Sequence, residues 1–353
     1  MRPVAVINSM KSHRPTGIGI AGEVLASLLP AGVGLISSRL DHWFAAINDG
    51  PLPGVVRALL RLGLAQMAPL LFPSTTRLLF TSHHAPLWRT GRHMVVLYDT
   101  IPLQFPNQAP MQSRYFRRAL PRVLCCAERV VTISAAVRDE FVALGYPLVS
   151  EAIVIPAWSA GAEMQQLIPI PRARHELLVV GARYPHKNID VVLLALEQLN
   201  RATLAPWRLT LAGVNRRLWA KAWGGLQYFE RLGWVRVIDR VGTAELAALY
   251  ARSTALVYPS LAEGQGLPPL EAMAAGCPVI CSDLPVLRET CGDAALYFPA
   301  TDAAALAAVL EEEIDHVLPD HRGRRAEAAR GRLAVFGREA IAARWHEFLD
   351  GWP

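Results

Sequence analysis

Pro259-Ser-Leu-Ala-Glu-Gly-Gln-Gly-Leu-Pro-Pro-Leu-Glu271 sits between an apolar run, Ala255-Leu-Val-Tyr258, and a short helical stretch, Ala272-Met-Ala-Ala-Gly276. The apolar run reads as a buried strand, and the closing glycine as a helix stop. Two glycines form the intervening turn, and two prolines suit a helix start. A strand, a Gly-turn and a helix N-terminus form a place where backbone N–H groups hold an anion, here those of Gly264, Gln265, Gly266 and Leu267. Glu263 and Glu271 bracket the turn. Carboxylates do not bind phosphate, but they accept hydrogen bonds from neutral hydroxyls. An anion cradle flanked by two hydroxyl acceptors points to a sugar nucleotide.

The same strand–loop–helix unit recurs along the chain. Strands are expected at Val4–Asn8, Arg77–Thr81, Met94–Tyr98, Val130–Ser134 and Ile153–Pro156, with a further candidate at Val33–Ile36. A second series starts at Glu176–Gly181 and continues through Leu209–Gly213, Arg236–Ile238, Ala255–Tyr258, Val279–Cys281 and Leu296–Phe298. Strands alternating with helices in both halves imply an α/β protein with two doubly wound parallel sheets facing a cleft. A length of 353 residues also favours two domains. The expected division is 1–165, then 172–335, with an irregular linker over 157–171 and a last helix at 336–353. Ile341, Trp345 and Phe348 lie at helical intervals in that last segment.

Hydrophobic residues make up 52% and charged residues 19%, which fits globular domains and excludes a disordered chain. The N-terminus runs directly into a strand-like segment and lacks the pattern of a signal peptide. Five cysteines, at 125, 126, 277, 281 and 291, show no metal-binding spacing and read as reduced thiols. The net charge of +6 favours anionic partners. Arginine concentrates in the first half, and Met111-Gln-Ser-Arg-Tyr-Phe-Arg-Arg-Ala-Leu-Pro-Arg-Val-Leu124 mixes it with aromatics at helical spacing. Attraction to an anionic membrane surface is one reading and a solvated helix face the other. No nucleic-acid module is present. The apolar stretch Pro53–Leu71 reads as a membrane-surface helix or as a helix packed on the first domain. Arg57, Arg61, Gln66 and Pro69 interrupt it too often for a membrane span. The expected location is cytoplasmic, with peripheral attachment at the inner face of the membrane left open.

Glu263 and Glu271, with seven residues between them in Glu-Gly-x-Gly-Leu-Pro-x-Leu-Glu-Ala-Met-Ala-x-Gly-x-Pro-Val, resemble the donor-site signature of glycosyltransferase family 4. The likeness continues through Val279-Ile-Cys-Ser-Asp283, Arg288-Glu289 and Gly292-Asp-Ala-Ala-Leu296. The resemblance implies the GT-B fold, retention of anomeric configuration and a last helix returning to the first domain. It implies that Glu263 contacts the donor sugar and Glu271 the ribose hydroxyls. Lys187, in Ala182-Arg-Tyr-Pro-His-Lys-Asn188, resembles the lysine that binds the donor diphosphate. Arg183 and His186 are less direct stand-ins for the family's accompanying arginine. Two positions depart from the family: Tyr98-Asp99 stands where it often has His-Asp, and Gln265 where it usually has an aromatic residue.

Three further groups of candidates come from the first half. Gly17-Ile-Gly-Ile-Ala-Gly22 has the form of a dinucleotide fingerprint, but no acid closes the next strand candidate. Gly17 and Gly19 then belong either to a ligand-facing loop near the donor or to a conformational turn. His83 and His84 end a strand and are acceptor-side candidates or structural histidines. Asp99 is a catalytic candidate or a cap of the following turn. No clustered metal ligands appear, so no metal or other cofactor is expected, with the sugar nucleotide as co-substrate. The expected activity is retaining transfer of a hexose, mannose- or rhamnose-type, to a glycan or lipid-linked acceptor in bacterial surface polysaccharide assembly. The alternatives are a nucleotide-sugar 2-epimerase on the same fold and a non-catalytic sugar-nucleotide-binding scaffold.

Overall fold

The computed structural model describes residues 3–12, 17–29, 38–147, 152–158, 173–201, 203, 205–214, 226–315 and 319–352. Backbone contacts divide the chain into one unit of Met1–Trp158 with Phe336–Pro353, and a second of Ser159–Val335. The strand expected at 33–36, and the linker beyond residue 158, lie outside the described residues.

The first unit is built on five parallel strands in the order β1 (Val4–Ile7), β2 (Arg77–Phe80), β3 (His93–Leu97), β4 (Arg129–Thr132) and β5 (Ile153–Val154). Side chains alternate across a strand, so each strand feeds two cores. Ala5, Ile7, Leu78, Phe80, Val95 and Leu97 face one side, where they meet Phe44, Leu64, Phe116 and Phe141 from four helices. Val4, Val6, Leu79, Met94 and Val96 face the other, against Leu25, Leu28 and the last helix, Arg338–Asp350. A parallel sheet covered on both faces needs near-continuous apolar strands, which these are.

Ile341, Trp345 and Leu349 are the fully buried positions of the last helix, one on each successive turn. Phe348, expected on that face, is only partly buried and packs at its margin. Arg77 reaches the end of the helix, donating from Nη1 to the Leu349 carbonyl at 3.2 Å while its guanidinium lies 4.9 Å from the Trp352 ring. A cation on free carbonyls at a helix C-terminus is favourably placed.

The second unit has six parallel strands in the order β11-β10-β9-β6-β7-β8: β6 Glu176–Val180, β7 Arg208–Ala212, β8 Val235–Ile238, β9 Ala255–Tyr258, β10 Val279–Ser282 and β11 Ala295–Phe298. The chain winds outward from β6 to β8, then restarts on the other flank at β9. The loops leaving β6 and β9 therefore diverge at the carboxyl edge, at the switch point where such sheets hold ligands.

Two local expectations change. The segment from Met111 to Leu124 is two helices, Pro110–Arg118 and Leu120–Cys126, because Pro121 has no N–H to continue the first ladder. The glycine motif at 17–22 is not a loop: the helix Gly17–Leu28 begins at its first glycine. Gly22 serves close packing, since a Cβ there would lie 2.7 Å from the Asn8 side chain and from Thr81 Oγ1.

Trp345→Ala should cost about 3–5 kcal/mol of first-unit stability, read as a lower urea midpoint. A midpoint within about 1 kcal/mol of wild type would show that the last helix is not part of that core.

Candidate functional site

β6 ends at Val180 and the chain turns at Gly181, whose φ is +75°. It passes Arg183 and Tyr184, both exposed, into a single 3-10 turn, Pro185–Lys187. Asn188 closes that turn in the left-handed region at φ 50°, a conformation asparagine tolerates better than most residues. Its side-chain Nδ2 donates to the Pro259 carbonyl at 3.1 Å and to the Ala300 carbonyl at 2.6 Å. Leu261 N–H donates to the His186 carbonyl at 2.8 Å. These bonds fasten the β6 loop to the β9 loop, and they set Lys187 beside Glu263.

Lys187 Nζ donates to Glu263 Oε1. It also lies 3.4 Å from the Tyr258 hydroxyl and 5.3 Å from the centre of that ring. Ser260 Oγ donates to the same Glu263 oxygen at 2.5 Å. Glu263 is 9% exposed. Burial alone would raise its carboxyl; the charge of Lys187 and hydrogen bonds from Lys187, Ser260 and Tyr258 outweigh burial and hold it below its ordinary value. Glu263 is thus an anion paired with the Lys187 ammonium. His186 is buried and stacked 5.7 Å from Tyr184. Burial and the neighbouring Lys187 charge lower its pKa to about 4, against the opposing pull of Glu263, so its imidazole is neutral at pH 7.

Gly266 precedes the helix Leu267–Ala274 at φ 115°, and a Cβ there would lie 2.9 Å from Leu287 Cδ2. Both constraints select glycine. Gly264 and Gln265 are buried in the same turn, and Gln265 accepts at its carbonyl from Thr290 Oγ1 at 2.8 Å. Leu267 opens the helix. Glu271, half-buried within that helix, accepts from the Tyr250 hydroxyl at 3.0 Å. The fold thus gathers Lys187, His186, Glu263 and the turn 264–267 at one sheet edge. A cation, amides at a helix start and carboxylates that accept hydroxyls can together hold a diphosphate and a sugar. The sequence reading overlooked Tyr258 and Ser260. Tyr258 was findable, because it ends a strand at the switch point.

Other candidates belong to the first unit. Asp99 Oδ1 accepts from Ile101 N–H at 3.1 Å, at the start of the short helix Ile101–Gln104. His83 and His84 are 4% and 8% exposed, their rings 4.2 Å apart. His84 Nδ1 lies 3.3 Å from Ser9 Oγ, itself 2.7 Å from Ser82 Oγ. Burial and the Arg61 charge lower His83 to about 3; burial, His83 and Arg61 push His84 well below its ordinary value. His93, buried in β3, is lowered to about 4 by burial. Gly17 and Gly19 fall in the first turn of their helix.

The family model described as Glycosyl transferases group 1 matches residues 174–316. O-antigen chain mannosyltransferase B of Escherichia coli is 31% identical over 260 residues, covering 69% of this chain and 65% of that protein. O-antigen chain mannosyltransferase RfbU of Salmonella typhimurium is 30% identical over 243 residues, covering 64% and 62%. The match thus spans just under two thirds of each relative's length. Among solved structures, a sucrose-phosphate synthase from Thermosynechococcus elongatus superposes with a TM-score of 0.70 at 18% identity, covering 99% of this chain and 98% of that one. The trehalose-6-phosphate synthase OtsA gives 0.72 at 13% identity, with both chains fully covered. These likenesses show a GT-B fold of two parallel-sheet α/β domains.

Lys187→Ala leaves a buried carboxylate without its cation and should cost about 3–5 kcal/mol. The paired Lys187→Met, Glu263→Gln protein should recover much of that, and additive losses in urea unfolding would show the pair is uncoupled. Stability should also fall with acid. His83 and His93 have folded values depressed below the ordinary 6.5, to about 3 and about 4. The unfolded chain therefore takes up protons first as pH drops from 6.5 toward those values. The loss between about pH 7 and pH 5 should be on the order of 2 kcal/mol per histidine. Loss of one histidine's share of this slope in His93→Gln would confirm the assignment, and an unchanged slope would refute it.

Proposed function

We propose that this chain, a GT-B protein whose residues 174–316 are a group 1 glycosyl transferase domain, is a retaining glycosyltransferase. It moves a hexose, of mannose or rhamnose type, from a nucleoside-diphosphate sugar to a glycan or lipid-linked acceptor in bacterial surface polysaccharide assembly. The observation that carries this reading is the buried Lys187–Glu263 pair beside the helix start at Leu267. The O-antigen mannosyltransferase names of the two relatives support the sugar and the process.

Negative charge grows on the departing diphosphate as the glycosidic bond breaks. Lys187 and the amides of 264–267 stabilise that charge from fixed positions, without the reorganisation that water would require. Arg183, exposed on the same loop, adds a second cation. No metal is assigned to the step. Glu263 then exchanges its ammonium partner for hydroxyls of the donor sugar, and Glu271 accepts from the ribose. The acceptor attacks the face from which the diphosphate leaves, and the leaving phosphate takes its proton. His83 and His84 are assigned to the acceptor side as neutral hydrogen-bonding groups.

Binding of UDP, GDP, ADP and dTDP by calorimetry tests the donor site. The comparison is best made in the Glu263→Gln background, where loss of Lys187 strands no buried charge. Lys187→Met should there weaken the preferred diphosphate by about 1.5–3 kcal/mol, roughly tenfold or more. Absence of binding by any of the four to folded wild-type protein would remove the donor-site assignment and with it the transferase reading.

A further inference from the structure

The helix Gly54–Leu71 carries two apolar faces. Leu64, Ala65 and Ala68 enter the core of the first unit. Val55, Leu59, Leu60, Met67, Leu70 and Leu71 point to solvent, with Leu59 63% and Leu70 73% exposed. At 3.6 residues a turn, the exposed set spans roughly 160° of the helix and about 24 Å of its length. An uncovered stripe of that size on a soluble domain marks a surface that something covers.

The neighbouring surface indicates what. Gln66 ties the helix to the loop after β2, accepting from Leu87 N–H at 2.7 Å and donating to the Ala85 carbonyl at 3.0 Å. That loop presents Leu87, Trp88 and Arg89, all exposed. Arg122, also exposed, donates from Nε to the Leu87 carbonyl at 3.1 Å. Arg92 closes the far end of the helix by donating to the Pro69 and Phe72 carbonyls. Between residues 50 and 127 the sequence holds nine arginines, no lysine and one acid, Asp99. Leucines and a tryptophan rimmed by unopposed arginines match an anionic bilayer surface, where apolar side chains enter the acyl boundary and cations meet the headgroups.

We propose that the exposed face of Gly54–Leu71, with the Leu87–Arg89 loop, docks the first unit on an anionic lipid bilayer, the helix lying in the plane of the interface. The helix is long and apolar enough to cross a bilayer. It lies flat because its other face is core, and because Arg57 and Arg61 donate to the Asn48 carbonyl and side-chain oxygens at 2.8 and 3.2 Å. Pulling it through a membrane would strip both contacts and the core packing. A second copy of the chain fits less well, because pairing two such faces would oppose two arginine-bearing surfaces. Docking here would hold the protein at the surface where a lipid-linked acceptor resides, so the inference supplies a partner for the proposed transfer.

Flotation of the full chain with vesicles tests it, without any sugar nucleotide, so the result is independent of the donor site. Vesicles of phosphatidylcholine with about 30% phosphatidylglycerol should bind the protein, and vesicles of phosphatidylcholine alone should bind it much more weakly. Binding should drop on raising salt from about 0.05 to 0.5 M. Leu59→Glu with Leu70→Glu should reduce it at least about tenfold. These side chains are mostly in solvent, so an unchanged thermal melt is expected and guards against misfolding. Arg89→Glu with Arg122→Glu should weaken binding to the anionic vesicles selectively. No vesicle binding by wild type, or equal binding by the leucine pair variant, overturns the proposal. So does a wild-type dimer by light scattering that the leucine pair abolishes while lipid binding stays absent.

Discussion

A lysine and a glutamate share a buried niche at the point where the second sheet reverses its winding. Strands β6 and β9 are neighbours from which the chain winds to opposite flanks, so their loops leave the carboxyl edge at the switch point. Asn188 and the His186 carbonyl fasten the two loops together. The result is a charge pair that is out of water yet not spent on stability alone. A buried pair of this kind is weak evidence for stability, because desolvation cancels much of the attraction. It stands among Tyr258, Ser260 and a helix start, polar groups that the fold holds in fixed positions.

The first unit solves a different problem. Its sheet is apolar on both faces, and the helices that follow β1 to β5 do not complete the cover. The closing piece is the last helix, which brings Ile341, Trp345 and Leu349 to the side that holds Val4, Val6 and Val96. The unit is therefore made from both ends of the chain. Its polar interior is held neutral: His83, His84 and His93 are all depressed by burial. Neutral imidazoles can sit beside Ser9 and Ser82 without a counter-ion, which a charged pair could not.

The fold was largely legible. Each of the eleven strands among the described residues lies where a short apolar run bounded by turn residues predicts one. Errors arose where local pattern and packing compete. Gly17-Ile-Gly-Ile-Ala-Gly22 reads as a turn on composition, yet it is helix, because Gly22 lets that helix press on Asn8 and Thr81. The arginine-rich stretch from Met111 to Leu124 has helical spacing throughout, but Pro121 divides it. Leu349 rather than Phe348 takes the buried position on the last helix. A one-residue change in helix rotation decides that, and spacing alone does not resolve it.

The sequence by itself determined the α/β class, the doubly wound pairing of strands with helices, and the likeness of 259–296 and of Lys187-Asn188 to a donor site. Those properties are local: a strand, a glycine turn and a helix start are written within about a dozen residues. Only the tertiary structure decided that Lys187 meets Glu263 across 76 positions of chain, that Tyr258 and Ser260 join them, and that Asp99 accepts from Ile101 N–H at the start of the next helix. It also decided that Gly54–Leu71 shows an apolar face to solvent. Such facts follow from strand order and burial, and those are set by which long-range contacts the whole chain can satisfy together.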